Sequence, residues 1–95
     1  MDFNHDRLVI DQEPVHLLFL SEPYPVLLRA GYVVAADVSV RISNRKVERS
    51  VIISSYSLAN GLRPRIIENN KSLSGVQVWI YKSGLEKTAS YIVEE

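Results

Sequence analysis

The sequence predicts an α/β domain: a two-layer sandwich in the order β-α-β-α-β-β, with a mixed four-stranded sheet and two helices. Three patterns carry that expectation. Val38, Val40 and Ile42 alternate with polar residues, the period of a half-buried strand. Val47, Val51, Leu58 and Leu62 recur at steps of four, seven and four, one stripe of a helix. Val76, Val78 and Ile80 alternate against Gln77, Trp79 and Tyr81, and a turn at Ser83-Gly84 leads to a last strand over 88–93.

The remaining elements follow from their breakers. Residues 1–6 are acidic and polar, a loose start with no signal-peptide character. Leu8 to Ile10 is a short apolar run, a first strand. Pro14 suits the first turn of a helix, where its missing N–H costs nothing. An irregular helix over 14–30 is expected, kinked or split at Pro23 and Pro25, with Gly31 as its cap. A strand, a turn and a short helix is the alternative, because the six residues from Val15 to Leu20, apolar except for His16, do not fix a period. The second strand covers 37–42 and the second helix 44–59, ended by Asn60-Gly61. That helix is rich in serine and β-branched residues, so packing must hold it. Residues 63–74 read as a loop with at most a short edge strand.

Composition bounds the function. The chain has 95 residues, enough for one domain over 1–95 with a single core. Eleven basic residues balance eleven acidic ones, so the molecule as a whole exerts no long-range pull on polyanions. The charge is nevertheless uneven: Asp2, Asp6, Asp11, Glu13 and Glu22 precede the basic run Arg41, Arg45, Lys46 and Arg49. With no cysteine there is no disulfide and no thiolate metal site, which fits a cytoplasmic protein. The apolar runs are too short to span a membrane. His5 and His16 lack ligands at metal spacing, no serine sits in a nucleophile elbow, and the glycines are isolated. No cofactor, no metal and no catalytic residue is expected, and the chain reads as a non-enzyme.

The basic run is the leading candidate site. Cations in the first turn of a helix oppose its dipole, whereas free N–H groups beside surplus cations make an anion seat. Arginine grips phosphate with a planar fork. The plainer reading is a solvated basic face. Trp79 and Tyr81 share one side of their strand, where they would stack on unpaired bases or pack under helices or in a subunit interface.

DVSVRISNRKVERSV, from Asp37 to Val51, resembles the Alba family of small archaeal and eukaryotic nucleic-acid-binding proteins. In that resemblance Arg41 takes the cation at the strand end, Asn44 the turn glycine and Arg45 the turn arginine. Val47, Glu48, Arg49, Ser50 and Val51 take the helix start. Pro14-Val15 and the C-terminal hairpin match as well. Gln12-Glu13 stands where the family has two lysines, and the hairpin arm carries only Lys82 and Lys87. The resemblance implies DNA or RNA backbone contacts through Arg41, Asn44, Arg45, Lys46, Arg49, Lys82 and Lys87. It implies a homodimer or heterodimer built partly on Tyr56, Leu58 and Leu62. The alternative is a non-enzymatic interaction subunit of the same fold that has lost its grip on nucleic acid, which Gln12-Glu13 and the zero net charge favour.

Overall fold

The computed structural model describes residues 2–95; Met1 lies outside the described residues. Its architecture corrects the predicted β-α-β-α-β-β sandwich. Among the described residues there are six antiparallel strands in one sheet and a single helix. The order is β1 (Val15–Phe19), β2 (Tyr24–Leu28), β3 (Gly31–Ile42), β4 (Arg45–Ile52), α1 (Tyr56–Glu68), β5 (Gln77–Lys82) and β6 (Tyr91–Glu94).

The expected helix over 14–30 is two strands. β1 and β2 lie in tandem along one edge of β3, and β4 takes the other edge. The prolines break no helix. Residues 21–23 bulge out of the ladder between Leu20, whose N–H donates to the Asp37 carbonyl, and Tyr24, which pairs with Ala35. Ser21 Oγ fills the gap by accepting from the Asp37 N–H at 2.9 Å. Pro25 sits in β2, which pairs only with β3, an edge position where a missing donor is tolerated.

The expected helix over 44–59 is mostly strand β4. Ser43 and Asn44 both have positive φ, 51° and 63°, and join Ile42 to Arg45 as a two-residue hairpin turn. The physical reason is arithmetic. A step of four, such as Val47 to Val51, is one helical turn but also two strand periods. The β-branched run Val51, Ile52, Ile53 decides for the strand.

The helix begins later, capped by Ser55, whose Oγ accepts from the Leu58 N–H. It runs through Arg63–Arg65, expected to be loop, and carries Pro64 inside it. An internal proline forfeits one helical bond, at a cost of about 3 kcal/mol, so tertiary packing holds the segment. Leu58 and Leu62 are fully buried, and Ile66 packs beside them. Gly61 allows the close approach of α1 to β6: a Cβ there would lie 2.5 Å from Val93 Cγ2.

Pairing residues share a face, so the registers sort the side chains. Leu17, Phe19, Val38, Val40, Val51, Val78 and Ile80 form the inward face under α1. His16, Leu18, Ser39, Arg41, Lys46, Glu48, Gln77 and Trp79 belong to the outward face. The expected C-terminal hairpin is present as β5 and β6. Leu8 to Ile10 is not a strand of the sheet; Arg7 makes a single parallel bridge to Ser50. Within the expected loose start, His5 and Asp6 are held, since Ser50 N–H donates to the Asp6 carbonyl and His5 N–H to Ser50 Oγ.

Candidate ligand-binding face

The outward face divides at Ser39. Toward β2 it is covered by the first residues of the chain. Asp37, 7% exposed, accepts from Tyr24 Oη at 2.5 Å, Ser50 Oγ at 2.9 Å and Asn4 Nδ2 at 2.9 Å. Burial alone would raise the Asp37 carboxyl, but these donors, with His5 4.0 Å away, hold it below the ordinary aspartate range. Burial, and then the bond to Asp37, push the Tyr24 hydroxyl up. His5 Nε2 also lies 3.5 Å from Glu48 Oε2. Nothing in the sequence pattern marked Asp37 and Tyr24 as partners, because they meet only across the bulge.

Toward the other end the face is bare. A groove of about 710 Å³ is lined by His16, Leu18, Ser39, Arg41, Lys46, Gln77 and Trp79, with Glu13 at its rim. The registers place one row straight across four strands. Trp79 pairs with His16, their rings 5.2 Å apart and tilted by 59°. Arg41 follows Val40, the partner of Leu17, and so stands beside His16; Arg41 pairs with Lys46. At roughly 4.8 Å per strand, two aromatic rings and then two cations span about 14 Å. The neighbouring row is Gln77, Leu18, Ser39 and Glu48, without a cation.

The predicted site residues separate in this geometry. Arg41 and Lys46 meet on the outward face, whereas Arg45 and Arg49 belong to the inward one, because a strand sends alternate residues to opposite sides. Arg49 is half-buried, and its guanidinium donates to the Glu48 carbonyl. Asn44 is the second residue of the hairpin turn, not a helix start. Lys82 sits 5.3 Å from the Tyr91 ring, and Lys87 is exposed in the turn between β5 and β6. Tyr81 lies on the outward side, where burial first and then Glu94 raise its hydroxyl. Of the three expected dimer residues, Leu58 and Leu62 are consumed by the chain's own core, and only Tyr56 stands exposed. The sequence reading weighed His16 only as a metal ligand and as part of an apolar run, not as a member of this face; its step of two from Leu18 was the available signal.

Among the described residues no group of three His, Cys, Asp or Glu is placed to hold a metal, and no helix is long and apolar enough to cross a membrane. No family model, curated protein or solved structure matches the chain.

Proposed function

We propose that the open half of the outward face binds single-stranded nucleic acid, without catalysing a reaction. The observation that supports this most is the row Trp79, His16, Arg41, Lys46. Aromatic rings stack on unpaired bases, and cations beside them take the backbone; this pairing of features is the common means of holding single strands. A duplex hides the base faces that Trp79 would engage. Trp79 is 44% exposed, so part of its ring is open to a stacking partner. A non-catalytic role fits the same surface: Ser50 is sealed beneath the first residues, and its hydroxyl is committed to Asp37.

Trp79 is the single tryptophan, so its fluorescence reports on the site directly. Titration with a short oligonucleotide should quench it. With two phosphates on Arg41 and Lys46, log affinity should fall with log salt at a slope of about −1.4. Unchanged fluorescence and unchanged oligonucleotide anisotropy at low salt would rule the reading out.

The alternative of a protein-interaction subunit has an observation of its own. Leu27 and Tyr32 are paired and exposed on the β2–β3 hairpin, beyond the cover of α1. A monomeric mass in solution would leave that patch without a self-association role.

A further inference from the structure

We infer that the open groove is built for RNA rather than DNA, with Ser39 the residue that senses the ribose 2′-hydroxyl; this rests on the single-strand reading above. Ser39 lies at the centre of the bare surface. It lines both the groove beside Trp79 and a second hollow of about 390 Å³ toward Leu20 and Glu48. The residue is only 9% exposed. No hydrogen bond among the described residues holds its Oγ, and the atom is not sealed from solvent. The contrast with Ser50 is direct: on the same face, two registers along β3, that hydroxyl is paired with Asp37. Water meets that hydroxyl while the groove is empty, and a ligand hydroxyl that replaces the water keeps its hydrogen bond.

Charge decides which part of a nucleotide lies over Ser39. The row of Arg41 and Lys46 carries the cations and takes phosphate. The row of Ser39 has Glu48 on one side and, beyond Leu18, Gln77 on the other, so a phosphate there would meet a carboxylate instead. With a base on Trp79 and His16 and a phosphate on Arg41 and Lys46, the sugar between them borders Ser39. A 2′-hydroxyl both donates and accepts, and it is the group by which proteins tell RNA from DNA. Ser39 can donate to it or accept from it, and Glu48 accepts only. DNA leaves both without that partner.

The test uses oligouridylate and oligodeoxyuridylate of equal length, which differ only in the 2′ position, titrated onto the full chain. The wild type should hold the ribose strand roughly tenfold tighter, the worth of about one buried hydrogen bond. Ser39→Ala should lower ribose affinity about tenfold, and deoxyribose affinity by much less, so that the preference between the two strands disappears. Ser39→Thr, which restores a hydroxyl, should recover part of the preference and guards against misfolding of the alanine variant. Equal affinity of the wild type for both strands overturns the inference and leaves single-strand binding standing. An equal loss for both strands in Ser39→Ala, with Ser39→Thr behaving alike, also overturns it. Binding of neither strand at low salt overturns the single-strand reading itself, and this inference with it.

Discussion

The two halves of the outward face use the same kind of residues to opposite ends. In the covered half a carboxylate, two hydroxyls and an amide satisfy one another around Asp37, and the first residues of the chain lie over them. In the open half a hydroxyl, two cations, an imidazole and an indole lie side by side along the sheet, with the groove open above them. Polar groups that complete one another hold a fold together; polar groups left incomplete on a rigid sheet are ready for something else. Removing a residue from the first half should therefore cost stability, and from the second half, binding.

Asp37→Ala should give the largest effect. Three donors lose their acceptor at once, at about 1 kcal/mol each, so stability to denaturant should fall by about 3 kcal/mol while oligonucleotide affinity of the folded protein holds. Trp79→Ala should do the reverse. Loss of one stacking platform lowers affinity by about 1–3 kcal/mol, with a denaturation midpoint close to wild type because the ring stands at the surface. An Asp37→Ala variant that binds poorly though folded, or a Trp79→Ala variant that unfolds, would erase the division.

Acid sharpens the same contrast. The Asp37 carboxyl is lower in the fold than in the unfolded chain. Its contribution is therefore complete above the ordinary aspartate range and is lost as pH falls through the lowered folded value. Glu22 adds to that slope with the same sign: hydrogen bonds from Ser72 and the Leu73 and Ser74 N–H groups outweigh its desolvation and lower it. Asp37→Asn should flatten the acid side of the stability curve, measured by denaturant midpoints across that range, leaving the Glu22 part. A curve as steep as wild type would show that Asp37 carries no such weight.

The smallest effect belongs to the hairpin tip beside the open half. Ser43 holds φ at 51°, where glycine has no steric penalty, so Ser43→Gly should stabilise by up to about 1 kcal/mol with no change in affinity. A loss of stability there would contradict the turn geometry.

Strands whose apolar residues alternated strictly were legible. β5 and the second half of β3 were read correctly from Val76 to Ile80 and Val38 to Ile42. The failures came where one spacing serves two periods. Val47 to Val51 fits helix and strand alike, and reading it as helix gathered Arg41, Arg45, Lys46 and Arg49 onto one imagined turn. The true helix was obscured by Pro64, which ordinarily ends one. Trp79 was noticed but could not be placed in one row with Arg41, since that row needs β1 between β5 and β3, a long-range order that local pattern does not hold. The Asp37 network likewise joins residues from four separate segments.

Backbone and side-chain NMR during titration with oligouridylate tests the division most directly. The account predicts shifts at His16, Ser39, Arg41, Lys46, Gln77 and Trp79, with Asn4, Tyr24, Ser50 and the inward-facing Arg45 left in place. Shifts centred on Arg45 and Arg49, or spread through the Asp37 network with Trp79 undisturbed, would contradict it.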